Sequence, residues 1–340
     1  MTSRRAFLGA AASPLLSLSA DGAGVRISHA QPCMGTLFRV LAWTSDEDAG
    51  YRAIRHAFIR ANELDATFSD YKQDSELSRL MREGFGKPFA ASGDLFRVVL
   101  EAQQVAERTQ GLFDITVGPL SQLWRRSRQA KRLPEEAVLR EAQARVGYRH
   151  IHLEPGVRSI ELKIPGMRLD LGGIAKGFAA DAMLSVLAEG GVVSAMVAAG
   201  GDVAAADPPP GAKGWTVMLN PGQSSGQRKE SITIRQQAVS TSGAQSQNVV
   251  IDGRTYSHIV DPRTGLGLTK PTAVSVVAPT ATMSDALATA ASVMDAPEAL
   301  AFLGSQPGVF GRVFRPPERE GSEPDTVSTP GFQALIRQGY

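Results

Sequence analysis

From residue 46 to residue 69 the apolar positions fall at Ile54, Phe58, Ala61, Leu64 and Phe68, the spacing of a helix that buries one stripe. Acidic residues open the segment, where they face the positive end of the helix dipole. Ser92 can cap a second helix running to about Thr109, with Gly111 stopping it, and Pro134-Glu135-Glu136 starts a third. Alternating patterns elsewhere predict strands. Val25 to Ile27 and Leu37 to Trp43 read as a pair around a Met34-Gly35-Thr36 corner. From residue 149 onward the chain becomes strand-rich: 149–154, 158–163, 192–199, 214–219, 230–236, 248–252 and 272–278, interrupted by helices at 174–189 and 280–295. Pro208-Pro209-Pro210-Gly211 and the Gly/Ser-rich stretch 222–227 read as exposed hairpin loops. Residues 316–331 are polar and Pro-rich and predict a disordered excursion. Strands and helices do not alternate regularly, so the expected class is α+β rather than a doubly wound sheet.

Composition narrows the class without choosing a function. The chain has 340 residues, 43% of them apolar and 21% charged, as in a globular protein. A formal net charge of +2 gives no reason to expect nucleic acid as a partner. The single cysteine, Cys33, excludes an intrachain disulfide and a cysteine-based metal cluster, and is expected to be a buried small hydrophobe. Ser3-Arg4-Arg5-Ala6-Phe7-Leu8 followed by an Ala/Leu/Ser-rich run to Ala20 has the form of a twin-arginine export signal over residues 1–23. That predicts a periplasmic protein, held at the inner membrane if the signal is retained. The remainder, 24–340, divides into a helix-rich part at about 46–147, a strand-rich part at about 148–315 and a polar tail at 316–340.

Five segments carry candidate chemistry. Asp170-Leu171-Gly172-Gly173-Ile174-Ala175-Lys176-Gly177 follows a predicted strand at Met167 to Leu169 and opens a helix. Its glycines let backbone approach a ligand, the helix start offers N–H groups to an anion, and Lys176 adds positive charge. It is neither the dinucleotide-binding nor the P-loop pattern. Asp285 and Thr289 lie four apart in a stretch of small residues and share a helix face, an oxygen pair suited to a hard cation such as Mg2+. Leu112-Phe113-Asp114 and Asp70-Tyr71 each set an aromatic beside a carboxylate, able to stack a planar ring and hold its polar edge. Ser257-His258-Ile259-Val260-Asp261-Pro262-Arg263-Thr264-Gly265 gathers an imidazole, a carboxylate, a guanidinium and a hydroxyl on a turn. There Asp261 and Thr264 form the turn, His258 is an imidazole that titrates near working pH, and Arg263 brings a positive charge.

These motifs occur in one order together with Met34-Gly35-Thr36 and Gly200-Gly201-Asp202. In that arrangement the chain, over roughly residues 30–310, resembles the ApbE family, the FAD:protein FMN transferases. The resemblance implies a T-fold-related, two-lobed fold with mixed or antiparallel sheets flanked by helices. It implies Mg2+-dependent cleavage of FAD, attachment of FMN through a phosphoester to a Thr or Ser of an acceptor flavoprotein, and release of AMP. Carried over position by position, Asp285, Thr289 and the Gly173 carbonyl correspond to metal ligands. Met34, Tyr71, Leu112, Phe113, Asp114, Asp170, Lys176 and Ile259 correspond to FAD contacts, and for the implied transfer His258 is the candidate base and Arg263 a candidate for reaching phosphate or acceptor. The implied acceptor bears a Ser/Thr-Gly-Ala-Thr type sequence and, given export, includes membrane electron-transport subunits as candidates. Thr241-Ser242-Gly243-Ala244-Gln245 lacks the terminal hydroxyl of that motif, so self-modification is not expected. Two alternatives stand beside the transferase: a pyrophosphatase that yields FMN and AMP with water as acceptor, and a non-catalytic periplasmic flavin-binding protein.

Overall fold

Met34 (φ 47°) and Gly35 (φ 72°) both take positive φ, as a type I′ turn requires, and they close the first hairpin. The computed structural model describes residues 24–219, 230–243, 248–270, 272–316 and 325–337. The twin-arginine segment, the stretch 222–227 and Ala244-Gln245 lie outside the described residues. The hairpin joins β1 (Val25–Cys33) to β2 (Thr36–Thr44), and β2 leads into α1 (Glu47–Phe68), whose N-cap Asp46 accepts from the Ala49 amide. Then come α2 (Glu76–Glu83), β3 (Phe89–Ala90), α3 (Gly93–Arg108), α4 (Gly118–Ala130), α5 (Glu136–Gln143), β4 (Ile151–Glu154) and β5 (Ser159–Leu162). After α6 (Ala175–Glu189) follow β6 (Ser194–Ala199), β7 (Asp202–Ala205), β8 (Trp215–Leu219), β9 (Glu230–Ile234), β10 (Gln237–Gly243), β11 (Val249–Ile251), β12 (Arg254–Tyr256) and β13 (Ala273–Ala278). The chain closes with α7 (Ala281–Val293), α8 (Ala296–Ser305), β14 (Phe310–Arg315), β15 (Asp325–Ser328), α9 (Pro330–Leu335) and β16 (Ile336–Arg337).

Among the described residues, eight strands form the central sheet in the order β1-β2-β6-β7-β10-β13-β14-β15, with every ladder antiparallel. Alternation along each strand gives the sheet two apolar faces. On β2, Phe38, Val40 and Ala42 enter the larger core with the stripe Ile54, Ala57, Phe58, Ala61 and Leu64 of α1. Leu41, with Met196, Val239 and Val277, faces the other way, onto Trp215, Ile232, Ile234 and Phe332 of the small sheet β16-β9-β8 and α9. The central sheet is therefore the middle layer of the α+β fold. On its larger side α6 packs against α1, α7, β6 and β7, while α7 packs on β10 and β13. The buried alanines 281, 286, 288, 290 and 291 let α7 lie close to its neighbours.

Several expectations need correction. Met167 to Leu169 is no strand: the segment makes one isolated parallel bridge, Arg168 to Val117, which does not extend into a ladder. The Pro208–Gly211 turn does not close a hairpin within one sheet but carries the chain from β7 in the central sheet to β8 in the small one. The excursion over 316–331 and the polar tail are structured in part. β15 pairs with β14, and α9 buries Phe332 completely, an apolar anchor that outweighs the polar composition around it.

Candidate functional site

The site is built where α6 and α7 touch. The Asp170 amide donates to the Ile115 carbonyl (2.7 Å) and its Oδ1 accepts from the Gly172 amide (2.9 Å), which folds the glycine corner into the start of α6. A Cβ on Gly173 would stand 3.0 Å from Thr289 Oγ1 and 3.2 Å from Phe113 Cε2, so residue 173 sits close against α7 and a side chain there would make those neighbours give way. At Gly177 a Cβ would fall 2.1 Å from the Ala281 carbonyl oxygen. Asp181 then fastens the helices: its carboxylate accepts from the Ala281 amide (2.8 Å), the Thr282 amide (2.8 Å) and the Thr282 hydroxyl (2.6 Å), satisfying donors of the first turn of α7.

Lys176 lies between two carboxylates. Its Nζ is 3.0 Å from Asp285 Oδ2, 3.1 Å from Asp202 Oδ2 and 3.3 Å from the Gly172 carbonyl oxygen. Asp285 is 5% exposed and also accepts from the Gly177 amide at 3.3 Å. Burial opposes the charge on Lys176, but Asp285 and Asp202 outweigh it and hold the ammonium above the usual lysine range. Burial, reinforced by Asp202, pushes Asp285 up to about 6 against the pull of Lys176 and the Gly177 amide. Among the described residues no three His, Cys, Asp or Glu side chains gather for a metal. The donors present are instead one carboxylate (Asp285), one hydroxyl (Thr289) and backbone carbonyls at the glycine corner. A cation already resides on this oxygen-rich wall, and the donor chemistry fits a hard divalent ion.

A second network borders the corner. Arg125 of α4 donates from Nη1 to Asp70 Oδ2 (2.8 Å) and from Nη2 to Asp170 Oδ2 (3.1 Å), and its Cζ lies 4.7 Å from the Tyr71 ring centroid. Tyr71 itself is 76% exposed. Leu112 is half-buried and Phe113 buried beside Gly173. Both oxygens of Asp114 are committed within the chain: they accept from the Thr116 amide (2.7 Å), the Thr116 hydroxyl (2.7 Å) and the Tyr148 amide (2.9 Å). Burial nevertheless holds its carboxyl above the ordinary aspartate value. Met34 sits at the end of the sheet where the next turn also lies, since a Cβ on Gly200 would stand 3.0 Å from Thr36 Oγ1.

His258 and Ile259, both half-buried, head a loop fixed from two sides. Trp124 of α4 donates from Nε1 to the Ser257 carbonyl (2.9 Å), and the Ile259 amide donates to Ser257 Oγ (3.1 Å). Asp261 makes the turn as expected, accepting at Oδ1 from the Arg263 amide (2.9 Å) while its carbonyl accepts from Gly265 (2.8 Å). Arg263 is engaged within the chain. Its guanidinium is held by Asp261 (2.9 Å) and donates to the Val293 carbonyl at the end of α7 (3.1 Å), which pins the loop to that helix.

Direct contacts thus join Tyr71, Phe113, Asp170, Gly173, Lys176, Asp285 and Thr289 into one wall, with Met34 at the neighbouring sheet end. The His258 loop reaches that wall through α4 and α7. Two participants had no role assigned from the sequence, Arg125 and Asp202. The signal for Arg125 was its place directly after Trp124 in the apolar stripe Leu120, Leu123, Trp124; for Asp202, its place directly after a glycine pair.

The model of the ApbE family matches residues 34–312. A FAD:protein FMN transferase of Treponema pallidum (strain Nichols) is 31% identical over 308 residues, covering 86% of this chain and 85% of the relative. One of Salmonella typhimurium is 30% identical over 264 residues, 74% of each. Among solved structures, the flavin transferase ApbE of Vibrio cholerae superposes with a TM-score of 0.78 at 26% identity, covering 92% of this chain and 99% of that one. The flavinyl transferase ApbE of Pseudomonas stutzeri, in its apo form, gives 0.81 at 25% identity, covering 95% and 100%.

Proposed function

This chain belongs to the ApbE family, and from that premise we propose that it is a FAD:protein FMN transferase acting on an acceptor flavoprotein. The observation that carries the reading is the buried, oxygen-lined corner where Lys176 meets Asp285 and Asp202 while Gly173 packs on Thr289. Binding a flavin alone would need no such pair of desolvated carboxylates, whereas phosphoryl-type transfer needs cations beside the diphosphate.

Asp285, Thr289 and the Gly173 carbonyl would hold Mg2+, which when bound neutralises charge on the FAD diphosphate. Lys176 is poised at the same wall to contribute a further positive charge. Tyr71, Leu112, Phe113, Asp170, Ile259 and Met34 border the space for the nucleotide. Asp114 serves by fixing the 112–116 loop, since its oxygens are already committed. His258 takes the proton from the incoming Ser or Thr hydroxyl of the acceptor. That oxygen forms a bond to the FMN phosphorus, the bond from that phosphorus to the bridging oxygen breaks, and AMP leaves with the electron pair. The acceptor is expected to carry a Ser/Thr-Gly-Ala-Thr type sequence. With residues 1–23 read as a twin-arginine signal, the reaction belongs to the periplasm, with membrane electron-transport subunits among the acceptors.

The test is to mix the protein with FAD, Mg2+ and a candidate acceptor, and weigh the acceptor by mass spectrometry. The expected result is one added FMN and one AMP released per acceptor. Asp285→Ala should abolish transfer, and His258→Ala should slow it by about 100-fold or more. AMP release that is unaffected by acceptor would replace the transferase with a pyrophosphatase.

A further inference from the structure

We infer that Arg125 holds Tyr71 and Asp170 together as one preformed platform for the planar ring of the flavin nucleotide, an inference that rests on the flavin-transferase reading above. Arg125 touches three separate pieces of chain at once. One nitrogen pairs with Asp70, 55 residues away, the other with Asp170, 45 residues away, and the guanidinium carbon lies over the Tyr71 ring, 4.7 Å from its centroid. The side chains of Asp70 and Asp170 are only 13% and 16% exposed, so both need a partner, and one planar cation supplies it. The backbone of Arg125 is fixed by its neighbour, because Trp124 is buried and bonded to the Ser257 carbonyl.

The consequence reaches the site in two directions. Asp170 uses its other oxygen on the Gly172 amide, so its position sets that of the glycine corner. Tyr71 is a large aromatic left 76% exposed, yet a cation holds its ring from one side. A ring fixed in this way loses little further freedom when a second planar ring stacks on it, and preorganisation of that kind raises affinity. A lysine could neutralise the carboxylates but could neither fork to both nor lie flat on the tyrosine. Arg125 contacts no reacting atom and is therefore a positioning residue.

The experiment is a double-mutant cycle on FAD binding, read by flavin fluorescence in wild type, Arg125→Lys, Tyr71→Ala and the double variant, with AMP release followed in parallel. Arg125→Lys keeps a positive charge between the carboxylates and Tyr71→Ala alters an exposed ring, so both are expected to fold. Each single change should weaken FAD binding about tenfold. The double variant should bind no more than about twofold worse than the weaker single one, because both remove the same platform. For Arg125→Lys, KM for FAD should rise while kcat at saturating FAD stays within about threefold. Affinity of Arg125→Lys within about twofold of wild type, or single effects that multiply in the double variant, overturns the inference alone. A wild-type protein that binds no FAD overturns the transferase reading as well.

Discussion

Lys176 and Asp285 are 109 residues apart in the chain, yet Nζ and Oδ2 approach to 3.0 Å. With Asp202 on the other side at 3.1 Å, the ammonium stands between two nearly buried carboxylates. This explains how the two carboxylates coexist: the ammonium lies against both.

Replacing that ammonium should therefore cost stability most when no metal is supplied. Lys176→Met leaves Asp285 and Asp202 facing each other, and breaking a buried ion pair from one side costs about 3 kcal/mol. The melting temperature of the variant should drop in EDTA and recover in part with added Mg2+. Equal melting in EDTA for variant and parent would show that the lysine does not hold the carboxylates.

Glu101 illustrates a cost accepted for the α6–α7 fastening. Burial raises its carboxyl above the ordinary value, neighbouring Asp181 adds to this, and Arg97 only partly compensates. Asp181 cannot be spared, since it accepts three hydrogen bonds from the start of α7. A carboxyl that binds its proton more tightly folded than unfolded favours folding at low pH and disfavours it as pH rises through the folded value. Glu101→Gln should thus melt higher than the parent at pH 7. The gain should vanish as pH falls below about 4. Thermal scans across that range check it, and a variant less stable at pH 7 would reverse the sign of the argument.

Cys33 ends β1 and is 6% exposed. Burial first, and Asp65 second, push its thiol up to about 11. At pH 8 the thiolate fraction is then small, and alkylation of the native protein by iodoacetamide should be about 100-fold slower than that of free cysteine. Unfolding in guanidinium should restore the ordinary rate. Rapid labelling of the native protein would mean that the strand end opens to solvent.

What the chain reveals without coordinates depends on how local the determinant is. α1 and α3 are legible because a stripe and a cap lie within one segment: Asp46 accepts from Ala49, and Ser92 from Leu95. α6 and α7 follow from glycines and small residues clustered in sequence. β10 (Gln237–Gly243) escapes because its residues are small and polar and gain strand character only from β7 and β13 on either side. α2 escapes because Leu77 and Leu80 are its only large buried residues. In the site, Asp285, Thr289, Gly173 and Lys176 stand in motifs a few residues long. The Asp70–Arg125–Asp170 network spans three segments, and no local pattern encodes such a juxtaposition. Arg263 shows a partner that the motif does hold: Asp261, two residues before it, pairs with its guanidinium.

The close approach at Gly177 should be the least forgiving point of the site. A methyl there would lie 2.1 Å from the Ala281 carbonyl oxygen and 2.8 Å from the Thr282 amide, both backbone atoms that cannot rotate aside. Gly177→Ala must separate α6 from α7. Overpacking of this kind costs about 3 kcal/mol, although alanine is the better helix former. The shift would also stretch the three Asp181 bonds to α7 and move Lys176 away from Asp285. Melting temperature and AMP release should fall together, and any Mg2+-induced rise in melting temperature should shrink. A variant that melts like the parent, or that loses stability while keeping full AMP release, would show that helix contact does not set the geometry of the corner.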